Sequence, residues 1–539
     1  TQIHIDGDYA LNINGELGAL ATRNDSIIFS SNLIELNNRE QQSWQGINFT
    51  AGAAGASAMQ NVIVENAVNG INVNNLSIPM NGVNVRFNTD SLDTLPQCGI
   101  ILGEFSNSNI ANCNIDGYTT GVNIVNLGRD RTSTPTLTNS RFRNNPESSR
   151  EDAIGINISG AVAAQIDNCL FEGYPYGVKQ VNITATRDTP TLTNSRFRSN
   201  PESSRQDSSL IAGIYLENVP NIRIRNDSII GYTTGLKIIN ADTLRETSTP
   251  TLTNSRFRSN PESSRENATA IDISGNVAAQ IDSCIVEGYP YGIKQINITA
   301  VRETPTLTNS RFRSNPESSR PDTDLITGIY LENVENIEID NDSIIGYTTG
   351  LEITNTSRRL STPTLTNSRF RSNPESSREK TYGIHANGPI AYDINNCYFD
   401  DYNYSVYHLG NGLPTRATPT LTNSRFRSNP ESSRASEAAI FMHNVLSPLI
   451  DLCEIENYNS AIEDYSVAIE IDQNFWEPYY NRGFVYLKKF DPPKSEKALN
   501  DFMKVIELKN SAETHFLIGK IFSNRLAGKD NWDMEWDRA

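Results

Sequence analysis

One feature limits what this chain can fold into more than any other. The 17 residues Thr134–Arg150 (TPTLTNSRFRNNPESSR) return almost letter for letter five more times. Their proline falls at Pro135, Pro190, Pro250, Pro305, Pro363 and Pro419, a spacing of 55 to 60 residues. Near-identity at a regular period predicts a repeat architecture in which each unit meets the next in the same way. With 539 residues the chain would otherwise suggest several globular domains, but a repeat array escapes that size rule.

Inside each unit the apolar residues follow one grammar. Ile222 and Ile224 alternate up to Asn226, Ile166 precedes Asn168, and Leu192 precedes Asn194; the next apolar residues, Ile229, Leu170 and Phe197, follow two or three positions later. That reads as strand, sharp bend at asparagine, strand, with asparagine stacked on asparagine in an inward ladder. Each unit holds two such centres, so one rung takes about 28 residues and the array about fifteen rungs, roughly 70 Å at strand spacing. A longer period lies above this one. Gly-Tyr-Thr-Thr-Gly at Gly117, Gly231 and Gly346 alternates with Gly-Tyr-Pro-Tyr-Gly at Gly173 and Gly288, and near-identical segments begin at Gly213 and Gly328, 115 residues apart. The duplicated block is therefore four rungs.

Composition sets the outer bounds. A net charge of −17 argues against nucleic acid as the partner of the whole molecule. No apolar run is long enough for a transmembrane segment. The start at Thr1, without a charged-then-apolar leader, fits a mature secreted or cell-surface protein. Of the six cysteines, Cys113, Cys169, Cys284, Cys397 and Cys453 share the slot after the bend, two or four rungs apart and beyond disulfide reach. They read as interior filler. No metal-type cysteine spacing occurs, and neither metal nor cofactor is expected.

The opening residues Leu11, Ile13, Gly15 and Leu17, then Ile27 and Phe29, then Trp44, Gly46, Ile47 and Phe49, resemble the first turns of secreted right-handed parallel β-helix proteins of bacteria. That fold is shared with pectate lyases. After Cys453 the spacing becomes helical. Ala461 to Ala468 and Tyr480, Asn481, Arg482, Gly483 and Tyr486 resemble tetratricopeptide (TPR) repeats. The interval Ala461 to Ala498 is 37 residues, the surplus lying in a lengthened turn at 490–495. The expected fold is mainly β: a right-handed parallel β-helix solenoid followed by a C-terminal α-helical TPR-like segment. Residues 1–56 form the N-terminal cap and first turns, 57–456 the stacked rungs, 457–526 the helices and 527–539 a tail. The helices are expected to cap the last rung.

The resemblance to pectate lyases raises a polysaccharide lyase or hydrolase, whose members use an acidic calcium cluster with an arginine, or two or three acids at the scissile bond. An active site breaks symmetry, and this array hardly differs for six units. No catalytic residues are assigned. Asp400-Asp401 is the one internal pair of adjacent aspartates in a degenerate corner, and an alternative carbohydrate-active or carbohydrate-binding site would lie in the irregular rungs 76–130 or 380–415.

Three columns are candidates for binding. A basic stripe takes Arg141, Arg143, Arg196, Arg198, Arg256, Arg258, Arg311, Arg313, Arg369, Arg371, Arg425 and Arg427. The six copies carry +12 together, which leaves −29 on the remainder (−17 minus 12). This stripe suits an acidic glycan or another rod's acidic face, unless acids of intervening rungs such as Glu338 and Asp340 pair with it. An aromatic column takes Tyr118, Tyr174, Tyr232, Tyr289, Tyr347 and Tyr402, which either stack sugars or pack along the corner with hydroxyls in water. Glycosylation sequons stand at Asn157, Asn182, Asn267, Asn297 and Asn355, while Asn226 and Asn341 fall on the inward ladder and are unavailable. The expected partners are further copies of the chain or other surface proteins and glycans, with a protein or peptide partner for the helices. Asn481 matches an asparagine that some TPR domains use to hold a peptide carboxylate. The reading is a non-catalytic structural rod, fibre subunit or adhesin-like protein.

Overall fold

The computed structural model describes residues 1–521 except 6–7, 32–42, 51, 54, 88–96, 129–130, 145–151, 184–187, 200–209, 242–246, 260–266, 297–302, 315–324, 358, 373–379, 411–417, 428–437, 444, 446–447, 452, 457–461, 463–464, 467–468, 470–472, 475, 489–494, 510–513, 516 and 520. The last six residues or so of each 17-residue repeat, and residues 522–539, lie outside the described set.

Short strands recur in strict threefold order, each joining the sheet of the strand three before it. The first sheet has 17 strands, beginning with Gln2–Ile5, and the second and third have 16 each, beginning with Ala10–Ile13 and Gly18–Leu20. Every strand pairing among the described residues is parallel. The chain thus winds through sixteen turns, one more than the repeat count suggested, because residues 1–56 already contribute two. At about 4.8 Å per rung the rod is roughly 75 Å long.

Each 17-residue repeat supplies two strands and the bend between them. Thr191–Thr193 closes one sheet, Asn194 turns the chain, and Arg196–Arg198 opens the next. The bend is a single residue in the left-handed region: Asn139, Asn168, Asn194, Asn226 and Asn254 all have φ between 50° and 59°. Asparagine tolerates that conformation better than other side-chain-bearing residues. Its amide also bonds the asparagine of the preceding rung, Asn168 to Asn139 at 2.7 Å and Asn226 to Asn194 at 3.0 Å. This ladder corrects the expectation in one respect. Asn226 and Asn341 are exposed, because the left-handed bend throws the asparagine outward and sends the following residue inward.

That following residue explains the alternation of cysteine and serine. The amides of Cys113, Cys169, Cys284 and Cys397 each donate to the hydroxyl of the serine one rung on, at 3.1 to 3.2 Å. Sulfur is a weak acceptor, so a serine rung needs a different partner above it. Twice it finds one: Ser195 and Ser310 donate their amides to Asp227 and Asp342, both at 2.6 Å. All six cysteines are free thiols. Burial pushes Cys98, Cys169, Cys284 and Cys397 up to about 12, so they are inert filler.

Phenylalanines fill the interior of the first sheet in near-parallel stacks, Phe142 on Phe171 at 4.9 Å and Phe171 on Phe197 at 4.6 Å. Glycines make room for them. A Cβ on Gly177 would stand 2.3 Å from Phe197 Cδ1 and 2.6 Å from the Gly213 carbonyl oxygen. Backbone cannot yield there as a flexible side-chain end would. Gly177→Val is expected to lower stability by roughly 3 kcal/mol, through overpacking against two rigid neighbours. Urea unfolding of the purified variant checks this.

The helical segment has its own small core. Helix α1 (Trp476–Lys488) packs on helix α2 (Ser495–Lys509) through Leu487, Ala498 and Phe502, joined by Leu517 and Ile521. Gly483 lets Phe502 approach: an added Cβ would lie 2.9 Å from its ring. Arg482 grips Asp501 with two hydrogen bonds, at 2.9 and 2.7 Å, and reaches Ser466 at 2.8 Å. The described helices leave the strand Leu449–Asp451 uncovered. Ile450 stacks on the interior Leu421 yet is 44% exposed. The expected helical cap is therefore not seen over that strand, since these helices close on one another. The predicted turn at 490–495 and the tail at 527–539 lie almost wholly outside the described residues. No helix among the described residues is long and apolar enough to cross a membrane.

Candidate functional surfaces of the rod

The arginine stripe lies on the first sheet, as two columns two residues apart on each strand. Register carries one column through Glu65, Arg86, Asp116, Arg143, Glu172 and Arg198 in successive rungs. It continues past Ile230 through Arg258, Glu287 and Arg313, and past Ile345 through Arg371, Asp400, Arg427 and Glu456. Acid alternates with base along the rod. Glu172, fully buried, receives Arg141 at 2.5 Å and Arg198 at 2.6 Å. Glu287, equally buried, receives Arg256 at 2.7 Å, Arg258 at 3.0 Å and Arg313 at 2.7 Å. Arg143 pairs with Asp116, Arg369 with Asp400 and Arg371 with Asp401. Burial would raise the Glu287 carboxyl, but hydrogen bonds from Arg313, Arg256 and Arg258 hold it below its ordinary value.

The stripe is thus largely neutralised within the rod, but by acids other than those expected. Glu338 and Asp340 lie on the third sheet, among the threonine columns, and cannot reach it. Arg196 and Arg311 are the exception. Both are exposed, stand beside Ser228 and Ser343, and form no ion pair among the described residues. Asp400 and Asp401 are likewise engaged by arginines and buried, so they do not form an open pair of catalytic carboxylates. Among the described residues no group of three or more His, Cys, Asp or Glu is gathered where it could hold a metal ion.

The tyrosine column is interior. Tyr118, Tyr174, Tyr232, Tyr289 and Tyr347 are at most 1% exposed and Tyr402 is 3% exposed, which removes them as a sugar platform. Their hydroxyls do not reach water either. Tyr174 donates to the Tyr118 carbonyl at 3.2 Å, Tyr232 to that of Tyr174 at 3.2 Å and Tyr289 to that of Tyr232 at 3.1 Å. Each ring therefore spans to the equivalent corner two rungs back. The cause is the glycine before it: Gly117, Gly173, Gly231 and Gly288 have φ between 70° and 83°, which turns the next side chain inward.

The sequons divide. Asn182 and Asn267 are exposed, though Asn182 accepts a hydrogen bond from Asn218 at 2.9 Å. Asn157 is half-buried and bonds Asn123 at 2.8 Å. Asn355 is 5% exposed, with its amide on the carbonyls of Arg359 and Pro389 at 2.8 and 3.0 Å, so it is unavailable to a glycan. Asn297 lies outside the described residues. In the helical segment Asn481 is exposed on α1.

One surface was missed. On the outside of the second sheet Tyr382, His385, Tyr404, Tyr407 and Phe441 gather across three rungs. Tyr407 stacks on Phe441 at 4.9 Å and Tyr382 on Tyr404 at 5.6 Å. His385 lies 4.9 Å from Tyr382 and 3.9 Å from a Glu352 oxygen. Burial lowers the imidazole's proton affinity, and Glu352 opposes that. Four of its residues fall within the irregular rungs 380–415 and Phe441 lies beyond them, and only the register shows that aromatics 22 and 34 residues apart share a column.

Among protein families, the model described as right handed beta helix region matches residues 130–300 and 243–387, and the TPR repeat model matches 451–489. No curated protein matches the chain. Three parallel sheets coiled around one core, with helices after them, agree with both matches, and the chain is a right-handed parallel β-helix followed by a TPR repeat.

Proposed function

We propose that the chain is a non-catalytic structural rod at the cell surface or outside the cell, with its helical repeat as a site for a protein partner. The observation that carries this reading is the acid–base alternation along the first sheet. Charges that alternate rung by rung stabilise the stack and leave little net field for one substrate. Uniform rungs serve extension and repeated weak contacts better than a single reaction centre. The extracellular placement is supported by the resemblance of the opening turns to secreted β-helix proteins.

A second reading, a carbohydrate-binding rod, is favoured by the ledge of Tyr382, Tyr404, Tyr407 and Phe441 with His385 beside it. Electron microscopy of the purified protein, joined to a screen of soluble polysaccharides, tests both. Rods of about 75 Å and no new reducing ends or unsaturated products are expected. Release of either product overturns the non-catalytic reading. Retention of the rod on a polysaccharide column, lost in Tyr407→Ala, shifts the conclusion to the second.

A further inference from the structure

Four rungs separate two stretches of nearly identical sequence, Gly213–Asn240 and Gly328–Asn355. They differ at five of 28 positions, and three of the five are charge reversals: Arg223 against Glu338, Arg225 against Asp340, Lys237 against Glu352. A fourth, Pro220 against Glu335, adds an acid. Neutral drift would scatter changes over the exposed threonines and asparagines as well, and those are kept. The reversals also leave the fold untouched, since both charge types occupy the same slot in the same strand geometry.

Two of the reversals share the outer face of the third sheet. Arg223 and Arg225 stand exposed on one strand, and Glu338 and Asp340 occupy the same two columns four strands further on. At about 4.8 Å per strand they lie roughly 19 Å apart, far beyond ion-pair reach within one rod. Neither Arg223, Arg225 nor Glu338 forms an ion pair among the described residues. Asp340 accepts only neutral donors, Thr366 at 2.5 Å and Asn367 at 2.7 Å. The rod therefore carries a basic patch and an acidic patch of equal shape on one face, neither with an ion-pair partner among the described residues.

We propose that the third sheet is a contact face between two copies of this chain, packed side by side and antiparallel. A two-fold axis perpendicular to the rod, through the strand Gln280–Asp282, sets Arg223 opposite the second copy's Glu338, and Arg225 opposite its Asp340. The same operation repeats both contacts, as an isologous pairing requires. It also lays the strand Thr251–Thr253 against Thr306–Thr308, and the outer threonine strands against one another in the same way. A parallel pairing about an axis along the rod would instead oppose like with like. The arrangement brings Asp282 near its own copy, one like-charge contact against four complementary ones. That carboxylate is drawn back by Asn309 at 2.6 Å and Thr308 at 2.8 Å. Thirteen strands, from Asn109–Ala111 to Leu449–Asp451, fall symmetrically about the axis. With about 60 Å by 10 Å of face per copy, the contact buries about 1,200 Å² in total, the lower end of a specific interface.

This inference holds whether or not the rod is catalytic. Sedimentation velocity on the full chain tests it, at low and high salt. A dimer that dissociates as salt rises is expected. Arg223→Glu with Arg225→Asp should weaken association by about tenfold or more, as should Glu338→Arg with Asp340→Arg, by opposing like charges. Both pairs place in each slot a charge type the other slot already tolerates, and circular dichroism confirms folding. Combining all four substitutions should restore the dimer, and mixing the two one-sided variants should give a heterodimer. A wild-type monomer at every concentration overturns the proposal. So does a four-fold variant that stays monomeric. A series of trimers and larger species overturns the two-fold arrangement in favour of a staggered one.

Discussion

Replacing Asp227 and Asp342 together with asparagine should leave stability nearly unchanged below about pH 4 and raise it by several kcal/mol at pH 8. Both carboxyls are 2% exposed, and burial pushes each from 3.8 up to about 8, against the lowering effect of the serine amides that donate to them. One oxygen of each accepts a serine amide, and the other, Oδ2, meets no hydrogen-bond partner. A folded-state value above the unfolded one means that the native protein holds two protons the unfolded chain releases. The stabilisation is complete below about pH 4 and falls steadily as pH rises, until the folded groups ionise near pH 8. Each unit between the two values is worth about 1.4 kcal/mol. Asparagine copies the neutral carboxyl, still accepting from Ser195 or Ser310, and has no proton to lose. Urea titrations at pH 4.5, 6 and 8 read the difference. Parallel pH profiles for the wild type and the double variant would sink the idea. The sites also carry an internal control, since Cys169 and Cys284, two rungs away, fill the same slot without any such load.

How much of this was readable beforehand follows the physics of each position. The period, the bend asparagines and the interior Leu and Phe were legible because strand alternation depends only on local spacing. The helical segment was legible for the same reason, at a different period. Direction at the corners was not. Whether Tyr174 points in or out depends on the positive φ of Gly173, and whether Asn226 does depends on its own φ of 59°. Those are backbone facts that apolar patterning does not encode. Partners across rungs were hidden too, because the rung length varies with the loops. Arg198 meets Glu172 from 26 residues away and Arg141 meets it from 31. The expected acids, Glu338 and Asp340, were the right kind of residue on the wrong sheet. Their mismatch was nonetheless visible in the letters. The 115-residue repeat conserves Asn226 and Asn341, Ile229 and Ile344, yet inverts the charges between them.

Among the acids of the first sheet, Glu287 should be the most costly to neutralise. In its column Arg258 has Ile230 on the other side and Arg313 has Ile345, so Glu287 is the one ladder acid adjacent to either. Arg256 adds a third donor from the neighbouring column. Glu172 differs, because its neighbour Arg143 keeps Asp116 when Glu172 is lost. Glu287→Gln leaves three guanidinium groups around a neutral amide at a fully buried position. Breaking a buried pair by removing one partner costs about 3 to 5 kcal/mol. Arg256 and Arg313 are some two-fifths exposed, at 42% and 38%, so solvent screening brings the expected loss to roughly 2 to 3 kcal/mol. Glu172→Gln should lose about half as much, and Glu338→Gln, unpaired on the third sheet, nothing measurable in a monomer. The loss at Glu287 should shrink as pH falls below the carboxylate range, because the wild type then loses the same charge. Equal unfolding midpoints for the Glu287 and Glu172 variants would show that the alternation is ornament to the stack. A clear gap between them would show that the two isoleucine interruptions, Ile230 and Ile345, leave the middle segment of the column, Arg258, Glu287 and Arg313, dependent on a single acid.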